Sequence, residues 1–413
     1  MAEVLTAVAP PLRIATPARA SYRIDSIDLL RGLVMIIMAL DHTRDFFHQP
    51  AWTDDPMNLA TTTPILYFTR WITHLCAPVF VFLAGSGAYF QSLRKSKKQL
   101  TIFLFKRGLW LIFIELVVLD FAFSFDIHYT LFTLQTIWSI GISMIILSLV
   151  IWLPFPAVFI LGVLIVAGHN ALDYYEQNLT AQPAWWYSLL HRPGNYPLWD
   201  GHQLFIFYPF LPWTGLMILG YCFGKLFLSY EGIQRKKMLL WLGFGLLAVF
   251  AVLRYTRWYG DPIPWSQQKN GVFTFLSFMR IQKYPPSLLY MCATIGIGIL
   301  FLGFAGNVKN GLTKFITVYG RVPFLYYILH FFLIHAVSAL CYLSRGHSFA
   351  EGLKSPQGAF GFALPKFIAP GEGYSLGTVY IIWICIALSL YPVCKWFSEY
   401  KQKHREKWWL SYL

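Results

Sequence analysis

The segment that decides the fold is Arg23-Ile-Asp-Ser-Ile-Asp-Leu-Leu-Arg-Gly-Leu-Val-Met-Ile-Ile-Met-Ala-Leu-Asp-His-Thr-Arg-Asp-Phe-Phe47. It predicts a membrane-crossing helix, because the uncharged run from Gly32 to Leu40 separates Arg31 from a charged end. Arg31 and His42 are eleven positions apart, which is about three helical turns and ~16 Å along the axis. We therefore expect them on one helix face at opposite membrane depths, lining a protein interior or a wet pathway. The alternative is that Arg31 and the Asp41–Asp45 group only mark the two membrane interfaces.

The composition is that of a membrane protein. Of 413 residues, 57% are hydrophobic, 18% are aromatic and only 13% are charged, against about 25% charged in soluble proteins. The predicted fold class is all-α, a polytopic bundle of transmembrane helices. The net charge of +14 is explained by Lys and Arg in cytoplasmic loops, so nucleic acid is not expected as a partner.

About ten apolar runs are long enough to cross a bilayer, which takes ~20 residues. They lie near 26–47, 65–91, 100–121, 130–152, 155–170, 204–228, 236–255, 286–306, 316–343 and 376–397. Loops rich in Lys and Arg alternate with acidic or mixed loops, which predicts that both termini are cytoplasmic. Loop 256–285 is the exception, since it carries four cations on the predicted outer side: Arg257, Lys269, Arg280 and Lys283.

Three regions are expected along the chain. They are a disordered cytoplasmic tail over 1–22, a transmembrane domain over 23–400 and a basic cytoplasmic tail over 401–413. The six cysteines lie inside apolar runs without paired metal-type spacing, so we expect them to pack in the bundle and expect no metal site.

The second span adds polar residues and a helix break. Arg70 and His74 are four positions apart and share a helix face. Pro78 is expected to interrupt the helix, which is tolerated at membrane depth where the break lines a cavity. Gly85 and Gly87 allow close approach of a neighbouring helix or a ligand.

A polar cluster is predicted at the outer side, formed by His42, His48, Arg70 and His74. A neutral histidine suits a general base that deprotonates a hydroxyl or amine. Asp45 follows His42 by three positions, so it is a candidate for orienting the ring, and Asp41 is the alternative.

At the other side, Lys106 and Arg107 lie just inside an apolar run. One interpretation is anchoring by the positive-inside rule. The other is a binding site for phosphates that enter from the cytoplasm, together with Arg31.

Two outer loops are rich in aromatic residues, including Trp185-Trp186-Tyr187 and Trp258-Tyr259. Such residues ordinarily form an interfacial belt. A saccharide platform is the alternative, because aromatic faces pack on sugar rings.

Three short motifs carry a resemblance to a known family. They are Ser26-Ile-Asp28-Leu-Leu-Arg31-Gly32 with Asp41-His42, then Ala77-Pro78-Val-Phe-Val-Phe-Leu-Ala-Gly85-Ser86, and later Gly320-Arg321 with His330. In span order the chain resembles the transmembrane acyltransferase superfamily. Within it, the chain more closely resembles a bacterial branch related to the catalytic region of lysosomal heparan-alpha-glucosaminide N-acetyltransferase.

The resemblance implies an acyl-CoA-dependent O- or N-acyltransferase of the bacterial inner membrane. Acetyl-CoA or another acyl-CoA would be the co-substrate, and the acyl group would pass to a saccharide or glycan acceptor on the far side. Donor-binding residues would be Arg31, Lys106, Arg107, Arg321 and His330.

The catalytic base remains open between two histidines. The lysosomal enzyme has its catalytic histidine in the loop after the first helix, a pattern loosely met by His48-Gln-Pro-Ala51-Trp52. The bacterial O-acyltransferase branch instead has histidine at the position of His42. Arg70 or His74 would stabilise an oxyanion.

The rival function is a transporter or exporter of a lipid-linked or anionic solute, for which Pro78 and Pro323 supply paired helix interruptions. Membrane lipids are expected partners under either function. Assembly into a homo-oligomer is left open.

Overall fold

The computed structural model describes residues 25–306, 308–354, 356, 364–404 and 406–411. The tail predicted over 1–22 lies outside these residues, as do Arg405, Tyr412 and Leu413 of the predicted basic tail. Most of the described chain is helical, as the sequence predicts.

The elements follow one another in a simple order. The helices are α1 (Asp25–Phe47), α2 (Pro64–Thr73), α3 (Cys76–Ser92), α4 (Lys97–Phe113), α5 (Asp120–Ser124), α6 (Thr136–Val150), α7 (Phe155–Gly168), α8 (Ala171–Glu176), α9 (Trp185–Leu190), α10 (Phe210–Ser229), α11 (Gly232–Thr256), α12 (Gly271–Met279), α13 (Leu288–Ala305), α14 (Gly311–Arg321), α15 (Pro323–Ser344), α16 (Phe349–Gly352) and α17 (Leu376–Lys403). A π-helical turn, Ile114–Leu119, joins α4 to α5, and a 3-10 turn follows α17 at Trp408–Ser411. The strands are β1 (Leu131–Leu134), β2 (Gly194–Pro197) and β3 (Gln203–Ile206).

Seven helical segments of the described chain are long and apolar enough to cross a membrane, so this is a membrane protein. They are the α2–α3 pair, the α7–α8 pair, α10, α11, α13, α15 and α17. The other three predicted spans coincide with α1, α4 and α6. However, α1 carries charges at both ends and α6 has only 15 residues. The total of ten spans and the cytoplasmic termini therefore stay predictions.

Helix α1 lies at the centre of the bundle and packs against α3, α14, α15 and α17. Its closest neighbour is α14, because Gly32 and Gly320 let the two backbones touch. A methyl group on Gly32 would overlap the Ile316 carbonyl oxygen, and one on Gly320 would overlap the Asp28 carbonyl oxygen. Small residues at such crossings are the usual basis of helix association in membranes.

The second span is broken, but a few residues before Pro78. Helix α2 ends at Thr73 and α3 begins at Cys76, so Pro78 lies in the first turn of α3. The reason is that a proline ring clashes with the carbonyl of the residue four positions earlier, here His74, and offers it no N–H. The Tyr290 hydroxyl donates a hydrogen bond of 2.8 Å to the His74 carbonyl oxygen in its place.

A small sheet on the loops departs from the predicted all-α class. Strand β3 lies between the other two, parallel to β1 and antiparallel to β2. It brings the start of α6 beside the chain that enters α10. The sheet positions Phe205 and Phe207, which line the cavity described below.

The cations of loop 256–285 are held by specific contacts. The Arg257 guanidinium lies 4.4 Å from the Trp265 ring centroid, and the Lys269 ammonium lies 3.8 Å from the Phe273 ring centroid. Arg280 pairs with Asp55 at 3.8 Å. These contacts give a local reason for cations on a side where the positive-inside pattern does not place them.

Candidate functional site

One cavity of about 810 Å³ runs along α1. Its wall includes Arg31, Met35, Met38 and His42, which recur at helical spacing on one face of α1. We call the end at Arg31 the inner end and the end at His42 the outer end. Helix geometry separates the two by ~16 Å, so the cavity extends over about half of a bilayer's hydrocarbon thickness.

The inner end is lined by cations from four helices. They are Arg31 of α1, Arg107 of α4, Arg321 of α14 and Lys401 of α17. Guanidinium groups bind phosphates with paired hydrogen bonds, so this end has the chemistry for an anionic ligand.

Arg31 is oriented by its surroundings. Its Nη1 donates to the Asp28 carboxylate at 3.2 Å and to the Gly320 carbonyl oxygen at 3.4 Å. Nearby, the buried Nε of Arg321 has no hydrogen-bond partner within the described part of the chain. A buried donor without a partner is costly unless a ligand or water satisfies it.

Lys106 and Arg107 do not act together. Arg107 lines the cavity, whereas Lys106 is exposed on α4 and is not among the described residues of the cavity wall. Consecutive residues on a helix point about 100° apart, so both cannot face one cavity. The anchoring interpretation fits Lys106, and the donor-site interpretation is left with Arg107.

His42 faces the outer end of the cavity. Its ring centroid lies 4.2 Å from the Phe331 ring and 5.2 Å from the His330 ring. Its imidazole nitrogens make no hydrogen bond to any described residue, and both Asp41 and Asp45 pair with other groups. An imidazole without protein partners on a cavity wall is available to a substrate.

Two arginines hold the acidic residues beside His42. Asp41 accepts hydrogen bonds from Arg44 at 3.2 Å and from Arg70. Arg44 also donates to Asp45 at 2.5 Å. The sequence argument predicted that Asp45 orients the His42 ring. In the structure, the Asp45 carboxylate pairs with Arg44 instead.

The remaining predicted histidines lie off the cavity. His48 and His74 are not among the described residues of its wall. His48 follows α1 and forms a bridge with Tyr374. Burial and the positive charge of Arg44 lower the pKa of His48, which keeps its ring neutral near pH 7. His74 is buried beside Tyr290, with 5.4 Å between the ring centroids.

His330 was predicted to serve the donor, but it lies beside His42. Its Nδ1 donates to the Tyr326 carbonyl oxygen at 3.0 Å. Its buried Nε2 has no partner within the described chain. His330 lies at the same depth as His42 but behind the cavity, since it is not among the described residues of the cavity wall.

Several cavity residues were not among the predicted site residues, including Trp52, Tyr208, Lys283 and Tyr284. The hydroxyl oxygens of Tyr208 and Tyr284 are 3.5 Å apart. Burial acts to raise the pKa of Tyr284, but the charges of Lys283 and Arg70 outweigh it and lower that pKa. The sequence offered one signal for Lys283 and Tyr284. They lie in loop 256–285, whose cations depart from the alternation of Lys- and Arg-rich loops.

Comparison of the sequence with known families gives one match. The family model described as heparan-alpha-glucosaminide N-acetyltransferase, catalytic, matches residues 23–255, more than half of the 413 residues. The match confirms the resemblance inferred from the motifs. It covers α1 to α11 and therefore Arg31, His42, Arg70 and Arg107. No curated protein sequence matches the chain.

Proposed function

Because the chain belongs to the family of heparan-alpha-glucosaminide N-acetyltransferase catalytic domains, we propose that it is a membrane acyltransferase. It moves an acyl group, acetyl in the first instance, from acyl-CoA at the inner end of the cavity to an acceptor at the outer end. The acceptor presents a hydroxyl or amine on a sugar or glycan. The inner end faces the cytoplasm, as the Lys and Arg loops predict.

The observation that carries the proposal is the single cavity with two chemically different ends. The described wall residues include no carboxylate beside the cations of the inner end, whereas the outer end combines His42 with cations and the carboxylates of Asp41 and Asp45. Phosphates of a donor suit the cations. The extended, uncharged arm of coenzyme A suits the apolar wall between them, which includes Met35, Met38 and Ala84.

His42 is the better candidate for the base, because it lines the cavity and its ring makes no hydrogen bond to any residue that the structure describes. His42 takes the proton from the acceptor oxygen or nitrogen, and the freed electron pair forms a bond to the thioester carbonyl carbon. The carbon–sulfur bond then breaks, and the leaving sulfur takes the proton back from the His42 imidazolium. The Arg70 guanidinium, fixed by Asp41 on the same wall, supplies positive charge for the oxyanion.

A transporter is the second candidate, favoured by one observation. Helix breaks between α2 and α3 and between α14 and α15 both border the cavity, through Thr73, Cys76, Arg321 and Pro323. Paired broken helices at a central site are typical of secondary transporters. Family membership favours the enzyme.

Thiol release separates the two functions. Purified protein in detergent is given acetyl-CoA and a panel of amino sugars and neutral glycosides, and free coenzyme A is titrated. The enzyme releases thiol only when an acceptor is present, and His42→Gln lowers the rate by about 10²-fold or more. A transporter releases none with any acceptor, yet moves solute into liposomes at the same rate with and without acetyl-CoA.

A further inference from the structure

Three side chains of the kind that bind metal ions meet at α8 and the end of α9. Asp173 and Glu176 are three positions apart on α8 and share a face of that helix, and His191 directly follows α9. One ligand atom from each of the three lies within 4.8 Å of the other two. His191 is fully buried and Asp173 is 7% exposed. None of the three is among the described residues of the cavity wall, so the proposed chemistry gives them no role.

Both carboxylates of this cluster are oriented by a neighbouring side chain. Asn170 Nδ2 donates a hydrogen bond of 2.7 Å to the Asp173 carboxylate. The Tyr187 hydroxyl donates a hydrogen bond of 3.0 Å to the Glu176 carboxylate. Metal ligands in proteins are characteristically held by such outer hydrogen bonds, which fix their orientation. The two carboxylates therefore already have the outer partners of metal ligands.

The third side chain, His191, lies between a carboxylate and a second histidine. Its Nδ1 is 2.7 Å from the Glu176 carboxylate, and its Nε2 is 3.0 Å from Nδ1 of His169. When an ion binds Nδ1 of His191, the ring proton lies on Nε2 and is donated to His169. His169 is 3% exposed, and its Nε2 has no hydrogen-bond partner in the part of the chain that the structure describes. No hydrogen bond at that atom therefore holds the His169 ring in the opposite tautomer.

The two carboxylates also have no basic side chain to neutralise them. Within the described chain, no Lys or Arg nitrogen lies within 4.0 Å of either carboxylate, and Glu176 pairs with His191 alone. Arg192 donates instead to the backbone carbonyl oxygen of Glu176, at 3.3 Å. A buried carboxylate is costly unless it is paired, protonated or bound to a metal. A proton on Asp173 would remove the charge, but it would leave the convergence of His191 on the same point unexplained.

We propose that Asp173, Glu176 and His191 bind one divalent transition-metal ion, zinc in the first instance, with water completing the coordination. The imidazole ligand favours zinc over calcium and magnesium, which prefer oxygen ligands. The ion ties α8 to the chain that leads from α9 into β2 and β3, the sheet that positions Phe205 and Phe207. The sequence argument expected no metal site, because His191 lies 15 positions after Glu176 and forms no short motif with it.

The test measures metal binding without acyl donor or acceptor. Full-length protein in detergent is treated with a chelator, separated from it by gel filtration, and titrated with zinc chloride or calcium chloride. The wild type is expected to bind one zinc ion per chain and to retain it through a second gel filtration. It is expected to bind zinc about 100-fold or more tightly than calcium. Zinc should also raise the melting temperature of the wild type.

Three variants assign the ion to this cluster. His191→Gln removes the imidazole, and Asp173→Asn removes a charge while it retains the shape of the side chain. Each is expected to weaken zinc binding by about 100-fold or more and to abolish the rise in melting temperature. Asp173→Asn decides the matter if His191→Gln does not fold. His347→Gln is the matched control, because His347 lies 2.8 Å from the Glu372 carboxylate without a third ligand among the described residues.

The proposal is overturned if the chelator-treated wild type binds no zinc, which would mean that a proton neutralises Asp173. Equal affinity for calcium and zinc would overturn the assignment of His191 as a ligand. Zinc binding by Asp173→Asn at the wild-type affinity, or an equal loss in His347→Gln, would also overturn the proposal. The site does not depend on the acyltransferase function, because acceptor-dependent thiol release is measured separately.

Discussion

The guanidinium of Arg31 donates a hydrogen bond to the backbone carbonyl oxygen of Gly320, with 3.4 Å between Nη1 and the oxygen. This bond spans the crossing at which α1 and α14 are in backbone contact, so the packing of the two helices also positions the cation at the inner end of the cavity. The next residue, Arg321, lines the same end. The contact between the two helices and the proposed donor site thus lie at one place.

Arg31→Gln is expected to abolish stabilisation by acetyl-CoA. A ligand at 100 times its dissociation constant raises the free energy of unfolding by about 2.7 kcal/mol. The stabilisation should be lost in Arg31→Gln and retained in His42→Gln, because the proposed function places the donor phosphates at the inner end. Thermal unfolding in detergent with and without acetyl-CoA measures it. Lys106→Gln, on the exposed face of α4, is the control, and an equal loss there would refute a specific role for Arg31.

Two glycines in α3 should respond oppositely to alanine. A methyl group on Gly85 would overlap the Met217 carbonyl oxygen of α10, whereas one on Gly87 meets no atom within 4 Å. Gly85→Ala is therefore expected to destabilise by about 1–3 kcal/mol or more, the cost of overpacking. Gly87→Ala is expected to be neutral or to stabilise by about 0.5–1 kcal/mol through helix propensity. Thermal unfolding of the two variants measures both changes in stability. Equal changes would contradict the packing of Gly85 and Gly87 described here.

The hydrogen bond from the Tyr290 hydroxyl to the His74 carbonyl oxygen, at the break between α2 and α3, can be tested by removing the hydroxyl. Tyr290→Phe leaves the buried His74 carbonyl without its donor, so a loss of about 1–3 kcal/mol is expected. Tyr326→Phe is the matched control, because the buried Tyr326 hydroxyl has no partner in the described chain. Its removal should not destabilise. A larger loss in Tyr326→Phe than in Tyr290→Phe, measured by unfolding, would show that the assignment is wrong.

A buried ion pair on the loops predicts a pH effect. Burial alone would raise the pKa of Asp126, but hydrogen bonds from Lys366, Thr130 and two backbone N–H groups hold that pKa well below its usual value. The folded pKa is depressed, so the contribution to stability is present above the unfolded value of about 4. It is lost as the pH falls from there towards the folded pKa.

Asp126→Asn should therefore destabilise at pH 7, by about 1.5–3 kcal/mol for a charged hydrogen bond. The difference between wild type and variant should shrink as the pH falls below about 4. Melting temperatures at pH 7, 5 and 3.5 provide the measurement. A difference that is the same at all three values would mean that the charge of Asp126 contributes nothing.

Local sequence patterns were enough to predict α1 and the sharing of one cavity by Arg31 and His42. Eleven positions bring two side chains to the same face of any α-helix, whatever surrounds it. The break before α3 was also predictable, although its position was not, because the clash caused by Pro78 acts four residues upstream.

The rest of the site depends on contacts between distant parts of the chain. Lys283 and Tyr284 line the same cavity as His42 because the tertiary fold brings their loop to it, and no local pattern encodes that approach. The same is true of the pairing of Asp41 with Arg70, which lies 29 positions away. Which of Lys106 and Arg107 faces the cavity depends on the rotation of α4 in the bundle.

The central claim is that an acyl group crosses the membrane through the cavity from the Arg31 end to the His42 end. Acetyl-CoA labelled on the acetyl group is supplied outside proteoliposomes that contain the acceptor sugar only inside, and the label on the enclosed sugar is counted. The account predicts labelled sugar inside the proteoliposomes when the protein is oriented with the inner end of its cavity facing outside. It predicts no labelled sugar with His42→Gln, although this variant should bind acetyl-CoA normally. Labelling only when donor and acceptor are on the same side of the membrane would contradict the account.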